Sequence, residues 1–397
     1  MKAYILITGS EFTMGLKQEK NSLFIAKELF KRGVELTGIS VVPDDLYKVQ
    51  FFLKIGLDKS DFIIVSGGMG PTADDVTREA VSEAIGVPLI FDENWLKKIK
   101  QTLKEQKREV TDSIKKMAKI PYGAKLIQNP VGKAAGFVKV LDDVRKAVIA
   151  VPGVPSEMKP MVLKALEMLG LKEKKQLIHL FRTFGKPEAE IDNILSDIDE
   201  VVFNSSPKGV DIFVTDKNEL FLENKVKVIR ERLGEIVYTE EEKEMEEVIG
   251  DVLRKRKKTI STAESSTGGL ISSRIVNVSG SSEYFMGSVV SYSNDVKINL
   301  LGVSRKDIES YGAVSEPVAR QMADGVRKLL KTDIAVSDTG IAGPTGETPE
   351  KPLGLHYVGY SDGKSIEVHR VVFKGDRNDV RVAVSQYALN LVRLNLR

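Results

Sequence analysis

The chain has 397 residues, 42% hydrophobic and 29% charged, with a net charge of +3. That length gives room for about two or three cores, and the near-neutral balance argues against a nucleic-acid or membrane-binding surface. There is no cysteine, which excludes disulfides and cysteine catalysis and suits a reducing compartment; with no signal-peptide pattern and no apolar run of membrane-spanning length, a cytoplasmic protein is expected.

To about Leu169, strands and helices alternate. Ala3–Thr8 reads as a buried strand, Asn21 as the cap of a helix whose Leu23, Ala26, Leu29 and Phe30 share a face, and Leu36–Val42 as the next strand. A further helix precedes Asp61–Ser66, a strand that runs into Gly67-Gly68-Met69-Gly70-Pro71-Thr72-Ala73-Asp74-Asp75-Val76-Thr77, with a helix starting near Thr77. This is a parallel α/β pattern, in which ligands sit at the carboxyl ends of strands. The glycines can cradle phosphate, and Asp74 and Asp75 can hold a divalent cation on it, because hard cations take carboxylate oxygens. The loop is neither a Walker loop nor a Gly-x-Gly-x-x-Gly dinucleotide loop. A helix-capping Asp is the plainer reading, and it accounts for one of the two acids. Gly9-Ser10-Glu11, Asn129-Pro130-Val131-Gly132-Lys133-Ala134-Ala135-Gly136 and Val151-Pro152-Gly153-Val154-Pro155-Ser156-Glu157-Met158 are expected to converge there. Between Asp92 and Lys119 the chain is Lys-rich, and Trp95, Leu96, Ile99 and Leu103 form a packing stripe.

From about Gly170 to Tyr238 the order is βαββα: a strand over Gln176–Phe184, a short helix over Glu188–Leu195, strands over Val201–Asn204 and Val210–Val214, and a helix over Leu222–Leu233. That makes a small α+β domain.

Thr239-x-x-Glu242 predicts a capping box opening the last domain, with Met245, Val248, Ile249, Val252 and Leu253 at helical spacing. Thr259–Ala263 reads as a strand, and Glu264-Ser265-Ser266-Thr267-Gly268-Gly269 as a sharp turn before a helix with Leu270, Ile271 and Ile275 inward. Such a turn aims amides and hydroxyls at one point, where an anion or oxyanion would be held. Gly287–Ser293 alternates like a strand, and Lys297 follows one turn into the next helix. A serine needs a base, and a desolvated lysine can serve as one. Ser265, Tyr292 and Lys297 are therefore the candidate catalytic group, against the plainer reading of an ordinary helix start with a solvated Tyr and Lys. His179, His356 and His369 are the only histidines and each falls in a strand-like run, so a Ser-His-Asp triad is not expected here. Glu316–Leu330 predicts an amphipathic helix. Asp333–Ser337 predicts a buried strand running into Asp338-Thr339-Gly340-Ile341-Ala342-Gly343-Pro344-Thr345-Gly346, a loop whose backbone can approach a ligand closely or that is a plain surface turn. Gly354–Tyr360 and Ser365–Phe373 predict a hairpin, and Asp379–Leu394 a closing helix.

TAESSTGG, VSYSNDVK, GAVSEPVARQMADG, TGIAGPTGETPEKPLG and FKGDR, in that order, resemble the C-terminal, PncC-type nicotinamide-nucleotide amidohydrolase domain of the CinA family. GSE, GGMGPTADDVT, NPVGKAAG and PGVPSEM resemble the same family's N-terminal domain, similar to the MoaB/MogA molybdopterin-binding fold, and the middle segment resembles the KH-type insert of long members. Three domains are thus expected, over residues 1–169, 170–238 and 239–397. The resemblance implies hydrolysis of nicotinamide mononucleotide to nicotinate mononucleotide and ammonia, without a cofactor. Ser265 would attack, Lys297 act as base with Tyr292 in support, Thr267 and Gly268 hold the oxyanion, and Thr339, Gly340, Ile341, Ala342, Gly343 and Arg377 hold ribose and phosphate. In the N-terminal domain it implies a pyrophosphatase acting on ADP-ribose with a divalent metal. Asp75 would be its catalytic carboxylate, with Asp74 and Glu11 beside it on the metal, Gly67, Gly68 and Gly70 along the pyrophosphate, and Asn129 and Glu157 lining the rest. The sequence departs from the family at Ser10 (Asp or Thr elsewhere), Ala135 (Pro) and Ser266 (often Cys). The middle segment lacks the Gly-x-x-Gly loop that a KH module uses on RNA, so it reads as a connector. A homodimer is expected. The rival readings are a nucleotide- or pterin-binding sensor and a competence-associated accessory protein.

Overall fold

The computed structural model describes residues 1–141 and 146–396. It divides between Gln176 and Leu177 into two compact units. Among the described residues no helix is long and apolar enough to cross a membrane.

The first unit is built on a six-stranded sheet. Glu35–Val42, Lys2–Thr8, Phe62–Ser66 and Lys146–Val151 lie side by side in parallel, followed by Gly136–Leu141 and Lys125–Ile127 in antiparallel. Phe62–Ser66 is buried throughout, as a parallel strand covered on both faces must be. Alternation sorts the side chains. Ala3, Ile5 and Ile7 pack under the helices Asn21–Phe30 and Pro155–Met168, while Tyr4 and Leu6 face Leu46–Lys59, Thr77–Ile85 and Glu93–Glu105. Trp95, Leu96, Ile99 and Leu103 are buried in that second layer. Asn21 is not a cap, contrary to expectation. It is the first helical residue, its Nδ2 donates to Ser66 Oγ (3.1 Å) and Gly153 O (2.7 Å), and Glu19 accepts the leading amides instead.

Arg78 is the element of this unit that no sequence pattern announced. It is 1% exposed and donates to four carbonyls: Met69 (2.7 Å), Lys119 (3.1 Å), Ala135 (3.1 Å) and Met117 (3.3 Å). One planar fork thereby ties the Gly-rich loop to two other segments. Burial pushes its guanidinium down to about 10, against the pull of Glu79 and Asp75.

The second unit holds two sheets. Val201–Ser206, Gly209–Thr215, Ile178–Thr183 and Val237–Thr239 form an antiparallel sheet under the helices Glu188–Leu195 and Glu219–Leu233. The other sheet runs Phe285–Val290, Ile260–Glu264 and Ile334–Gly340 in parallel, then Leu355–Ser361 and Ile366–Val372 in antiparallel. Met245–Arg256, Leu270–Val276 and Arg377–Asn395 cover one face of it, and Asn294–Leu301, Arg305–Tyr311 and Glu316–Leu330 the other. The capping box lies at Glu244 and Glu247, not at Thr239 and Glu242. Thr239 is taken up by strand pairing with Arg182, so the helix cannot start until the chain leaves the sheet.

Arg78→Met strands four buried carbonyls and is expected to destabilise the first unit by at least about 3 kcal/mol. Arg78→Lys should rescue little, because an ammonium cannot span four acceptors. Urea midpoints of the purified variants check both.

Candidate active sites

The strand Ile260–Glu264 enters the turn with every residue buried. Its end sits beside Ile334–Gly340, so Asp338 arrives under the turn from the neighbouring strand. Asp338 Oδ1 accepts from Ser265 N (3.1 Å), and Oδ2 from Ser266 N (3.0 Å), Ser266 Oγ (2.6 Å) and Thr267 N (3.3 Å). Thr267 Oγ1 also bonds Oδ1 and reaches Glu264 Oε2 at 2.8 Å. Glu264 in turn accepts the amides of Ile271 (3.0 Å) and Ser272 (2.8 Å) at the start of the following helix. The concave set of amides that the sequence assigns to an oxyanion is thus already closed on a carboxylate of the chain itself. Thr267 N is committed to it, and Gly268, at φ +60, carries the next amide in line.

Ser265 and Lys297 come together. Lys297 Nζ lies 3.1 Å from Ser265 Oγ and donates to Ser291 O at 2.5 Å. Lys297 is 1% exposed. Burial holds its ammonium below the ordinary lysine range, opposed by the Asp338 carboxylate. Ser293 caps its helix through Val296 N, which fixes Lys297 one turn in. Tyr292 does not join the group as expected. Its side chain is 68% exposed, and only its carbonyl approaches Lys297 Nζ, at 3.4 Å. The residue after a strand end turns outward when its neighbour Ser291 is the one buried.

His356 takes part without forming a Ser-His-Asp triad, since its Nδ1 meets a backbone carbonyl and not a carboxylate. It lies on a strand, as read, and from there its Nε2 comes 2.7 Å from Ser266 Oγ while Nδ1 sits 3.0 Å from Gly354 O. Gly340 explains the fit: a Cβ there would fall 2.0 Å from the imidazole. Gly340 and Thr339 accordingly belong to the sheet, with Thr339 Oγ1 donating to Ala313 O, and Ile341 continues the pairing through Leu355 O. Ala342, Gly343 and Arg377 line a cavity of 700 Å³ together with Lys374 and Gly354; Ser265 and Lys297 are not among its lining residues. Arg377 Nη1 holds Gly343 O at 2.5 Å, and Arg381, which the sequence reading passed over, donates to Thr267 O at 2.6 Å.

In the first unit, Glu11, Asp74, Asp75, Gly67, Gly68, Gly70 and Glu157 line one cavity of 490 Å³ at the carboxyl ends of the parallel strands, joined by Asp44 and Lys133. Gly67, at φ +115, packs so close to Thr8 that a Cβ would meet its carbonyl at 2.2 Å. Asp75 Oδ2 takes Thr72 N (2.9 Å) and Oγ1 (2.5 Å), closing the loop on itself. Asn129 Nδ2 donates to Glu157 Oε2 at 2.5 Å; Asn129 lies outside that cavity's lining and on a neighbouring one that Glu157 shares. Asp44 was missed by sequence. It receives Ser10 N (2.8 Å) and Oγ (3.2 Å), and burial raises its carboxyl, with Glu11 and Asp74 adding to the rise.

The model of the CinA C-terminal domain matches residues 242–396, and that of the probable molybdopterin binding domain residues 4–170. The CinA-like protein of Sulfurihydrogenibium sp. (strain YO3AOP1) is 58% identical over 396 residues, covering 100% of this chain and 99% of that protein. The CinA-like protein of Thermotoga maritima is 38% identical over 405 residues, covering 100% and 98%. The crystal structure of the protein CinA with unknown function from Thermoplasma acidophilum is 37% identical, covering 42% of this chain and 96% of that one, with a TM-score of 0.39. The α/β layout, with the expected MoaB/MogA-like domain first, agrees with the match to the probable molybdopterin binding domain. With relatives alike along their whole length, the chain belongs to the CinA-like protein family.

Proposed function

We propose that the chain is a two-function hydrolase of pyridine nucleotides. Its last domain hydrolyses the carboxamide of nicotinamide mononucleotide to nicotinate mononucleotide and ammonia, and its first splits the pyrophosphate of ADP-ribose into AMP and ribose 5-phosphate. What carries the first activity is Lys297 Nζ at 3.1 Å from Ser265 Oγ, out of water. An uncharged amine there takes the hydroxyl proton as Oγ attacks the carboxamide carbon. The C–N bond then breaks, the proton leaves with ammonia, and a water deprotonated by Lys297 releases the acid. With Thr267 N held by Asp338, the amide of Gly268 is the donor this reading assigns to the oxyanion. Arg377 and Lys374, in the neighbouring cavity, suit a phosphate.

The second activity rests on the cavity of the first unit. Among the described residues no group of three or more His, Asp or Glu stands close enough to hold a metal by itself. A magnesium-type ion, which binds through one or two carboxylates and completes its shell with water and phosphate oxygens, fits that donor set. One or two of Glu11, Asp44 and Asp74 would hold it, and it would supply neutralisation of pyrophosphate charge. Asp75, closed on Thr72, shapes the loop that receives the phosphates.

Ammonia release from nicotinamide mononucleotide, with and without chelator, tests the first activity, which should persist in chelator. Ser265→Ala and Lys297→Met should each lower it by about 10³-fold or more while ADP-ribose cleavage stays. Lys297 titrates lower folded than unfolded, so its contribution to stability is full above the unfolded value and declines as pH falls toward the folded one. Lys297→Met removes that decline, and its melting temperature near pH 7 should not fall below wild type. Near-wild-type ammonia release in both variants would overturn the assignment.

Asp75→Ala and Asp44→Asn should each abolish the magnesium-stimulated part of AMP formation from ADP-ribose. Unchanged rates at saturating magnesium would remove the pyrophosphatase reading.

A further inference from the structure

Glu264, Asp338 and His356 are each 0% exposed, and Lys297 1%. Four ionisable groups therefore share one dry pocket behind the Ser265 turn, and the hydroxyls between them fix the proton count. Ser266 Oγ touches Asp338 Oδ2 and His356 Nε2, and Thr267 Oγ1 touches Glu264 Oε2 and Asp338 Oδ1. Each hydroxyl has one proton to give. Gly354 O can only accept, so His356 Nδ1 is protonated. Both contacts at Ser266 are then satisfied when Nε2 also holds a proton and donates to Oγ, while the hydroxyl donates to Asp338. Both contacts at Thr267 are satisfied when one proton is shared by Glu264 and Asp338.

In that state the two carboxylates together carry one negative charge and His356 one positive charge. The pocket is neutral with Lys297 uncharged. A proton on Lys297 as well would leave a buried charge without a partner, which is costly. Burial holds both the His356 imidazolium and the Lys297 ammonium below their ordinary ranges, and Asp338 opposes it in each case, so the two draw on the same carboxylate. No other ionisable group bonds into the pocket in the hydrogen bonds described: Arg381 holds Thr267 O from the outer side of the turn, and Arg377 holds Gly343 O.

We propose that His356 is a positioning residue for the Ser265–Lys297 pair: the pocket holds one positive charge, and its residence on His356 leaves Lys297 uncharged to take the Ser265 proton. Its functional meaning rests on the amidohydrolase reading; the charge competition itself does not. The two groups titrate as a coupled pair, with apparent values that belong to both.

The test uses full-length protein labelled with ¹³C-lysine, the Lys297 resonance assigned by its loss in Lys297→Met. Its Cε shift is followed against pH in wild type, His356→Gln and Ser266→Ala. Gln keeps a donor toward Ser266 and removes only the charge; Ala leaves the imidazole and removes the link. In both variants the Lys297 midpoint should move up by about one pH unit or more, and the ascending limb of the ammonia-release profile should move with it. A purely structural role would lower the melting temperature and leave the midpoint where it was. An unmoved midpoint in a folded His356→Gln overturns the proposal, and if that variant does not fold, an unmoved midpoint in Ser266→Ala does so. Wild type that releases no ammonia removes the amidohydrolase reading, while the Cε midpoints still decide the competition.

Discussion

Asp338 gathers the amides of Ser265, Ser266 and Thr267 and the hydroxyls of two of them onto one buried carboxylate. A turn of this shape aims its N–H groups inward, and buried amides need acceptors. Filling the concavity with an internal anion removes that demand and rigidifies the turn before any substrate arrives. Ser265 Oγ is left as the hydroxyl pointing at Lys297, because its two neighbours are already spent on carboxylates. Selectivity between three adjacent hydroxyls is thereby set by which of them has an acid within reach.

The first unit solves the mirror problem with the opposite charge. There a buried guanidinium, Arg78, gathers four carbonyls, where Asp338 gathers amides. Both groups sit where loops meet the ends of parallel strands, the place where a fold of this class exposes the most unpaired backbone. Both replace water as the partner of that backbone. The loops they hold can then stay in one conformation although their own sequences are rich in glycine.

Legibility in the sequence followed distance along the chain. Buried strands such as Phe62–Ser66 and Ile334–Gly340, and the helix Glu316–Leu330, are visible because apolar spacing is a local signal. Ser265 and Lys297 were found because a hydroxyl-rich turn and a lysine one turn into a helix are local as well. Asp338, Glu264 and His356 were not, since a carboxylate ending an apolar strand gives no hint of which turn it lies under; the partners of Asp338 are 71 to 73 residues away. The one available signal was an acid at the end of each of two buried strands. Thr239 and Tyr292 failed for another reason: a local rule, the capping box or the strand-end tyrosine, was overruled by sheet pairing in one case and by the outward turn of the chain in the other.

The two cavities also stand in opposite electrostatic positions. On the proposed reading Lys297 acts uncharged, and an uncharged lysine is favoured by a dry place such as the sealed pocket behind Ser265. Glu11, Asp44, Asp74 and Asp75 line an open cavity, where burial raises Asp44 and the charges of Glu11 and Asp74 add to the rise. Four carboxylates repel a pyrophosphate unless a cation stands between them, so such a site gains from water and exchangeable ions. Sealing it as the other is sealed would leave more carboxylates than the lysines Lys17 and Lys133 on its lining can balance. The same chain therefore keeps one of its acidic clusters dry and hydrogen-bonded and the other open to solvent.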